Sequence, residues 1–265
     1  MNLELNGKTV VVTGASRGIG FAIAEEFLHE GANVFICARN SSELEKAVNQ
    51  LLKTASAFGG SICGLELDGT KEASMEALAE KAASLNGSID AWVNNIGTNR
   101  KRTGDFYTEQ ELDSLINANY KSCVFGTQAA VKYMKTKGGS IVNISSLAAH
   151  AATAIRSNIY ASMKAAVIAY TQTTAAEYAP FGIRVNAVLP GYTRTPLVES
   201  GFSKETLDAL LHNNILNRMA MPEEIAKPVV FLSSQAASYI TAAELEVTGG
   251  HVKVLNARDC WDGLR

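Results

Sequence analysis

The sequence predicts an α/β fold, a doubly wound parallel sheet of about seven strands with helices on both faces, and three observations support this prediction. Short segments rich in β-branched residues alternate with longer segments of helical spacing along the 265 residues. The strand segments are apolar, as expected of parallel strands that are covered on both sides. No linker rich in Pro, Gly or Ser and no internal repeat interrupts the alternation. We therefore expect residues 1–265 to form a single domain.

The strand candidates are short runs of β-branched and other apolar residues, separated by helical segments. In chain order they are Lys8–Thr13, Asn33–Ala38, Ser61–Leu67, Asp90–Asn94, Ser140–Ile144, Gly182–Leu189 and Glu244–Thr248. Strands that alternate with helices at this spacing pair in parallel, because each crossover returns the chain to the same edge of the sheet.

The helix candidates carry apolar residues at helical spacing, and several carry boundary residues as well. The first ends at Gly31, either Ser41 or Ser42 can cap the second, and Glu223 and Glu224 occupy the first turn of the last. In chain order the candidates are Ile19–Glu30, Ser41–Ala57, Lys71–Leu85, Thr108–Lys137, Asn158–Tyr178 and Pro222–Ser233.

Composition and charge exclude several classes of partner. The formal net charge is -2 and the pI is about 6.1, so there is no basic excess to attract nucleic acid or an anionic membrane. No apolar run reaches the roughly 18 residues that span a bilayer. The N-terminus lacks a secretory signal pattern and the four cysteines lack CxxC spacing, so we expect a cytoplasmic protein. The four histidines show no metal-ligand spacing, so we expect no metal site.

A glycine-rich segment, TGASRGIG at residues 13–20, lies between the first strand and the first helix. Gly14, Gly18 and Gly20 allow a tight turn and a close approach of the backbone to a phosphate group. The helix that follows presents free amide N–H groups and the positive end of its dipole. The segment therefore indicates a binding site for the pyrophosphate of a dinucleotide, the alternative being a tight turn that binds nothing.

The end of the second strand, Cys37-Ala38-Arg39-Asn40, indicates which dinucleotide binds. A carboxylate there would accept hydrogen bonds from the adenosine-ribose hydroxyls of NAD(H), but this segment has none. Arg39 and the nearby Arg17 instead favour the 2′-phosphate of NADP(H), because two guanidinium groups can bind one dianion. The alternative is that both arginines are solvated surface charges. Asp68, after the third strand, is either an acceptor for the adenine amino group or an ordinary turn residue.

Tyr160 and Lys164 are four positions apart in the sequence and so share one face of a helix. A free tyrosine has a pKa of about 10, and a nearby ammonium group is expected to lower this pKa toward the range of efficient acid–base catalysis. Ser145 and Ser146 follow the fifth strand, at the edge where α/β sheets hold their ligands. Successive strand residues point to opposite faces, so we favour Ser146 for holding the substrate oxygen. The pattern indicates hydride transfer at a carbon–oxygen centre rather than a surface Tyr–Lys pair.

The chain resembles the short-chain dehydrogenase/reductase family, which has a Rossmann fold, over nearly its whole length. The motifs that carry the resemblance are TGASRGIG, Asn94-Asn95-Ile96-Gly97, Asn119, Ser146, YASMK at residues 160–164, Pro190-Gly191 and Pro222-Glu223-Glu224-Ile225-Ala226. Ile96 departs from the family, which usually has Ala there, and adds bulk near the cofactor. The resemblance also implies a small-molecule substrate and a homo-oligomer, specifically a homotetramer.

The resemblance implies a catalytic tetrad of Asn119, Ser146, Tyr160 and Lys164. Tyr160 would be the acid/base, and Ser146 would orient the substrate oxygen. Lys164 would lower the Tyr160 pKa and bind the nicotinamide ribose, and Asn119 would hold a water that relays protons to Lys164. Thr193 and Thr195 would meet the nicotinamide carboxamide. The expected cofactor-binding residues are Gly14, Ser16, Arg17, Gly18, Ile19, Gly20, Arg39, Asp68, Asn94, Asn95, Gly97, Tyr160, Lys164, Pro190, Gly191, Thr193 and Thr195.

Two segments, 147–159 and 196–217, are expected to shape a pocket for a medium-sized apolar molecule, the alternative being ordinary helical core. Asn99-Arg100-Lys101-Arg102 can meet an anionic tail or lie in a solvated loop. Within the family the chain resembles bacterial hydroxysteroid dehydrogenases that act on bile acids, as well as 3-oxoacyl carrier-protein reductases and tropinone-type ketone reductases. A non-catalytic nucleotide-sensing protein is the alternative from another class, and the intact tetrad argues against it.

Overall fold

The computed structural model describes residues 2–99, 103–151, 158–251 and 253. Its strands each begin and end within one residue of the positions expected from the sequence. They are β1 (Thr9–Thr13), β2 (Asn33–Ala38), β3 (Ser61–Glu66), β4 (Ala91–Asn94), β5 (Gly139–Ile144), β6 (Ile183–Pro190) and β7 (Glu244–Val247). All seven are parallel and form one sheet in the order β3-β2-β1-β4-β5-β6-β7. The α/β fold expected from the sequence is therefore confirmed.

The helices cover both faces of this sheet. In chain order they are α1 (Gly18–His29), α2 (Ser41–Phe58), α3 (Glu72–Ala83), α4 (Glu109–Ile116), α5 (Ser122–Met134), α6 (Asn158–Tyr178), α7 (Pro196–Gly201), α8 (Lys204–Leu211) and α9 (Pro222–Ser233). The sequence predicted α1, α2, α3, α6 and α9 to within two residues at each end. The helices α7 and α8 were not among the helix candidates, although helical core was the alternative considered for residues 196–217. No helix among the described residues is both long and apolar enough to cross a membrane.

The prediction of one continuous helix over Thr108–Lys137 is wrong. Its middle is a π-helix, Asn117–Lys121, in which the backbone hydrogen bonds span five residues instead of four. Thr108 caps α4 through a capping box with Glu111, so α4 has a well-defined start. The π-helix joins α4 to α5 without a break in the helical backbone, and such wide turns are frequent at functional sites.

The strand order reverses between β1 and β4, because β2 and β3 extend the sheet to one side of β1 and the later strands extend it to the other. Val12 of β1 is in register with both Ile36 of β2 and Val93 of β4. In α/β proteins, ligands bind outside the carboxyl ends of the strands where the order reverses. The glycine-rich segment follows β1 and the Asn94–Gly97 segment follows β4, so both lie at this point.

Alternating strand residues supply two hydrophobic cores, one on each face of the sheet. Val10 and Val12 pack with α1, α2 and α9, whereas Val11 and Trp92 pack with α3 and α5. Trp92 is fully buried. The sheet is therefore covered on both sides, which explains why its strands are apolar without a polar face.

Arg184 of β6 stabilises the end of α9 nearest the amino end of the sheet. Its guanidinium group donates to the carbonyl oxygens of Leu232, Ser234 and Ile240 at 2.8, 3.0 and 3.1 Å. A cation at a helix C-terminus also complements the helix dipole. These bonds join α9 to the segment that leads into β7, an arrangement that the sequence did not reveal.

Candidate active site

The glycine-rich segment forms a tight turn between β1 and α1. Gly14 and Gly18 have φ values of +66° and +60°, which side-chain-bearing residues rarely adopt. A Cβ on Gly20 would lie 2.4 Å from Asn95 Nδ2 and 2.6 Å from the Gly14 carbonyl oxygen, so only glycine fits there. At each of the three positions predicted to shape this turn, either the backbone conformation or the close packing thus requires glycine.

The start of α1 fits an anionic group. Arg17, the N-cap residue, makes no side-chain capping bond, and the first turn contains no acidic residue. Its first amide N–H groups are therefore left for another acceptor, in contrast to α2 and α4, which are capped by Asn40 and Thr108. Ser16 and Ile19 are half-buried beside this turn. A pyrophosphate would suit both the free donors and the helix dipole.

Asn95 holds the glycine-rich turn in place. Its Nδ2 donates to the carbonyl oxygens of Thr13 and Gly14, each at 3.0 Å, and its backbone N–H donates to Thr13 Oγ1 at 3.0 Å. Asn95 therefore acts on the turn itself, and its side chain positions the backbone that would contact a dinucleotide.

The Asn94 side chain points into the protein instead of lining a cofactor site. It accepts from Trp92 Nε1 at 2.7 Å and donates to Thr127 Oγ1 and Asn143 Oδ1 at 3.0 and 2.8 Å. Asn143 in turn donates to Thr171 Oγ1 at 2.9 Å. The sheet pleat turns this side chain toward α5, where it joins a buried polar network, so a contact of Asn94 with the cofactor would involve its backbone.

Ile96, the departure from the family pattern, packs between two glycines. A Cβ on Gly14 would lie 2.9 Å from Ile96 Cγ1, and a Cβ on Gly69 would lie 2.2 Å from Ile96 Cδ1. The extra bulk is therefore accommodated by the lack of a side chain at Gly69, a residue that the sequence analysis did not single out.

Arg17 and Arg39, the two residues expected to bind a 2′-phosphate, have different surroundings. Arg39 is exposed and makes no ion pair with the residues that the structure describes. Arg17 Nη1 lies 2.9 Å from Glu43 Oε1. Nearby, Asp68 Oδ1 accepts from the backbone N–H and the hydroxyl of Thr70 at 3.1 and 2.9 Å, as in an ordinary turn. The charges fit a phosphate, but the carboxylate of Glu43 competes for one of them.

Lys164 lies on α6 with only 3% of its surface exposed. Its Nζ donates to the Ile144 carbonyl oxygen, at the end of β5, at 2.8 Å, and lies 5.8 Å from the centre of the Tyr160 ring. Burial lowers the pKa of Lys164 to about 8. The ammonium group is therefore still mostly protonated at neutral pH, although no carboxylate pairs with it among the described residues.

The Tyr160 pKa differs in direction from the sequence expectation. Burial raises this pKa above its ordinary value, and only the interaction with the Ser146 hydroxyl lowers it. The expectation of a lowered pKa is wrong for the protein groups alone, because desolvation of the phenolate outweighs the stabilising contacts. At neutral pH the phenol therefore carries its proton.

Ser145 and Ser146 have separate roles. The Ser145 hydroxyl is buried and donates to the Lys164 carbonyl oxygen at 2.8 Å, so it fastens α6 to the end of β5. Ser146 Oγ accepts from the Ala148 N–H at 3.1 Å, and the Ser146 hydroxyl also interacts with the Tyr160 hydroxyl. Of the two serines, Ser146 is thus the one whose hydroxyl interacts with Tyr160.

Asn119 lies in the middle of the π-helix. Its Nδ2 donates to the carbonyl oxygens of Thr98 and Leu115 at 2.8 and 2.9 Å, and its Oδ1 accepts from the Thr98 N–H at 2.9 Å. Both side-chain hydrogens are used, so the side chain is not free to donate to a relay water. A Cβ on Gly97 would lie 3.0 Å from Asn119 Oδ1 and 3.1 Å from Lys164 Nζ, so Gly97 brings these two residues together.

The segment after β6 reaches across to the glycine-rich turn. Pro190 ends β6, and Gly191 packs against Thr248, whose Cα would lie 2.8 Å from an added Cβ. Thr193 is buried and its hydroxyl donates to the Gly191 carbonyl oxygen at 3.0 Å. Thr195 caps α7, and its methyl group would lie 3.4 Å from a Cβ on Gly18. Gly18 and Thr195 therefore bound the same space.

Parts of the expected substrate pocket lie outside the described residues. These are Arg100–Arg102 and residues 152–157, which include Ala152, Ala154 and Ile155. The segment 196–217 forms α7 and α8, and its Phe202 packs edge-to-face on Tyr192 with ring centres 6.1 Å apart.

Comparison with known proteins is consistent with this geometry. A family model described as enoyl-(acyl carrier protein) reductase matches residues 14–251. A tropinone reductase homologue of Arabidopsis thaliana is 36% identical over 251 residues, which cover 93% of this chain and 93% of the relative. A 3-oxoacyl-(acyl-carrier-protein) reductase of Thermotoga maritima is also 36% identical over 251 residues, which cover 94% of this chain and 100% of the relative.

Two solved structures match most of the chain. L-sorbose reductase from Gluconobacter frateurii, complexed with NADPH and L-sorbose, has a TM-score of 0.87 at 30% identity, over 96% of this chain and 100% of its own. A 7α-hydroxysteroid dehydrogenase, complexed with NADH and 7-oxo glycochenodeoxycholic acid, has a TM-score of 0.87 at 32% identity, over 96% and 98%. The range matched by the family model spans the three glycines of the turn as well as Ser146, Tyr160 and Lys164, and this chain is therefore an oxidoreductase of the short-chain dehydrogenase/reductase family.

Proposed function

We propose that this chain interconverts a secondary alcohol and a ketone with NADP(H) as the cofactor and Tyr160 as the acid/base. The observation that carries the proposal is the meeting of Tyr160, Lys164 and Ser146 at the carboxyl end of β5. This end of the sheet also carries the glycine-rich turn. A proton donor beside a dinucleotide site is the arrangement that reduction of a carbonyl group requires.

Different residues would bind different parts of the cofactor. The amide N–H groups of α1 would bind the pyrophosphate, and Arg17 and Arg39 would bind the 2′-phosphate. Lys164 would donate to the nicotinamide ribose, and Thr193 and Thr195 would bind the carboxamide. When bound, the nicotinamide ring supplies or accepts the hydride.

Tyr160 and Ser146 would handle the proton and the substrate oxygen. Because burial keeps the Tyr160 phenol protonated at neutral pH, it is suited to donate a proton to the oxygen of a carbonyl undergoing reduction. The O–H of Ser146, which interacts with the Tyr160 hydroxyl, would donate to the same oxygen and hold it in place. The charge on Lys164 would stabilise the phenolate left behind until it is reprotonated. The role of Asn119 would be to fix Gly97 and Thr98 beside Lys164, with any relay water held by backbone groups.

For the substrate, we propose a hydroxysteroid of the bile-acid type. The solved relative that holds a 7-oxo bile acid supports this class. The similarity to tropinone reductase homologues and to 3-oxoacyl-(acyl-carrier-protein) reductases supports a small ketone or an acyl thioester as the second candidate. From the resemblance to the family, we also propose that the protein is a homotetramer in the cytoplasm.

The proposal is tested by Tyr160→Phe, which removes the proton donor and keeps the ring. We expect the turnover number for ketone reduction, followed by NADPH absorbance, to fall about 100-fold or more, in the range that general acid–base catalysis contributes. NADPH affinity should fall by no more than about fivefold, because the variant would lose at most one hydrogen bond to the cofactor, worth about 1 kcal/mol. Tyr239→Phe is the matched control, since the Tyr239 side chain is fully exposed. Unchanged turnover in Tyr160→Phe would exclude Tyr160 as the acid/base.

The substrate class is tested with a panel of 7-oxo and 3-oxo bile acids, 3-oxoacyl thioesters and tropinone-like ketones. Each is assayed with NADPH and with NADH. We expect the highest kcat/KM with an oxo bile acid, and a higher value with an acyl thioester would overturn the hydroxysteroid assignment while leaving the oxidoreductase proposal intact.

A further inference from the structure

Glu43 lies beside the predicted phosphate site but has no role in the function proposed above. It is in the first turn of α2, where its backbone N–H donates to the capping Asn40 Oδ1 at 2.9 Å. Its side chain reaches back to the glycine-rich turn, and Oε1 accepts from Arg17 Nη1 at 2.9 Å. The chain thus has a carboxylate in contact with Arg17, one of the two arginines proposed to bind the 2′-phosphate, although the end of β2 has none.

Both members of this ion pair are accessible to a ligand. The Arg17 side chain is 65% exposed and the Glu43 side chain is 41% exposed. Ion pairs of this exposure contribute little stability and exchange readily with water or with another charged group. The pair is therefore able to open when a stronger anion approaches Arg17.

The local charges decide what can bind there. Arg39 is exposed and unpaired among the described residues, whereas Arg17 is already half-neutralised by Glu43. A phosphate dianion gains from both arginines but is repelled by the Glu43 carboxylate. A ribose with a free 2′-hydroxyl gains from a carboxylate acceptor, the group that binds NAD(H) in this type of fold.

We propose that Glu43 is a cofactor-specificity residue, which weakens the binding of NADP(H) by competing for Arg17 and supports the binding of NAD(H) by accepting from the ribose hydroxyls. The chain then uses both cofactors, and its preference for NADP(H) is smaller than its two arginines alone would give. This inference rests on the proposed function, because it requires that a nicotinamide dinucleotide occupies the glycine-rich turn.

The test is Glu43→Gln, which removes the charge and keeps the shape of the side chain. Dissociation constants for NADPH and NADH are measured by quenching of protein fluorescence, without substrate. We expect the NADPH dissociation constant to fall about 3- to 10-fold and that of NADH to rise about twofold, as suits an exposed charge. The change in the NADPH dissociation constant should be smaller at 0.5 M NaCl, because salt screens the interaction between exposed charges.

Glu45→Gln is the matched control. Glu45 is exposed on the same helix and makes no ion pair with a described residue, so its loss changes the net charge equally. If Glu43→Gln and Glu45→Gln shift NADPH affinity by the same factor, the effect is only net charge and the proposal is overturned. Weaker NADPH binding in Glu43→Gln also overturns it, since Glu43 would then be holding Arg17 in position for the phosphate.

A second variant tests whether Glu43 acts through Arg17. In an Arg17→Met background, Glu43→Gln should raise NADPH affinity by a smaller factor than it does in the wild type, because only the direct repulsion between Glu43 and the phosphate is then removed. A full effect without Arg17 would overturn the competition that we propose. If the wild-type protein binds neither dinucleotide, the proposed function itself fails, so the two failures are distinguishable.

Discussion

The side-chain amide of Asn119 satisfies both backbone hydrogen-bonding groups of Thr98. The Thr98 N–H donates to Asn119 Oδ1 at 2.9 Å, and Asn119 Nδ2 donates to the Thr98 carbonyl oxygen at 2.8 Å. The same Nδ2 also donates to the Leu115 carbonyl oxygen at 2.9 Å, within the helix that the π-helix interrupts. One side chain thus joins the segment after β4 to the helical segment that faces Lys164.

Gly97→Ala should disturb this junction. The added Cβ would lie 3.0 Å from Asn119 Oδ1 and 3.1 Å from Lys164 Nζ, which is tight enough that one of these side chains must move by a few tenths of an ångström. We expect Lys164 to move and the turnover number to fall at least about tenfold, because small displacements of a catalytic group have large effects on rate. Gly104→Ala is the control, since its Cβ would meet only the Phe106 carbonyl oxygen, at 4.0 Å. Equal turnover in the two variants would show that the junction tolerates a methyl group.

Lys164 makes the free energy of unfolding depend on pH in the alkaline range. Its pKa is about 8 in the folded protein, below the ordinary value of 10.5, so between these values the unfolded chain binds more protons. The contribution of Lys164 to stability therefore rises from pH 8 to pH 10.5, by up to about 3 kcal/mol, at 1.4 kcal/mol for each unit of pKa.

The measurement compares urea unfolding of the wild type and Lys164→Met between pH 7 and pH 10.5. We expect the variant to be relatively most stable at pH 7, where the wild type buries a charge, and the difference to decrease as the pH rises. A difference that stays constant across this range would contradict the lowered pKa.

Asn143→Leu should destabilise the protein through the buried polar network. Asn143 accepts from Asn94 Nδ2 at 2.8 Å and donates to Thr171 Oγ1 at 2.9 Å, and all three residues are buried. Leucine would leave a buried Asn94 N–H unpaired, so we expect a loss of about 2–4 kcal/mol in urea unfolding. In the double variant Asn143→Leu/Thr171→Val, the loss of stability should be smaller than the sum of the losses in the two single variants, because the two residues share a hydrogen bond. Additive losses would mean that the bond contributes little.

Tyr192→Phe should leave stability unchanged or raise it by up to about 1 kcal/mol. The Tyr192 hydroxyl is buried and has no hydrogen-bond partner among the described residues. Phenylalanine keeps the edge-to-face contact with His251, whose ring centre is 5.4 Å away, and removes the unpaired group. Thermal unfolding checks this prediction, and a loss of more than about 1 kcal/mol would indicate that the hydroxyl is hydrogen-bonded in solution.

The fold was predictable because its signals are local. Each strand is an apolar run between turn residues, and its limits follow from that pattern. The π-helix was not predictable, because nothing in the periodicity of residues 108–137 differs from an ordinary helix. Its stabilising contact, from Asn119 to Thr98, joins positions 21 residues apart in the chain.

The candidate site was predictable in its residue types but not in its energetics. Tyr160 and Lys164 are close in sequence, so their shared helix face followed from spacing alone. The direction of the Tyr160 pKa depends on how deeply folding buries the phenol, which spacing does not give. Glu43 was missed for a similar reason, since it meets Arg17 only when α1 and α2 pack side by side, 26 residues apart in sequence.

The π-helix has a consequence for insertions and deletions. A π-helical turn contains about one residue more than an α-helical turn. In an α-helix, each residue rotates the direction of the side chains by about 100° about the helix axis. Deleting a residue between Asn117 and Lys121 would let α4 and α5 merge into one regular helix and turn Asn119 away from Thr98. The length of this segment is therefore as important as its composition, and a shortened chain could keep its hydrophobic cores while losing the alignment of Lys164.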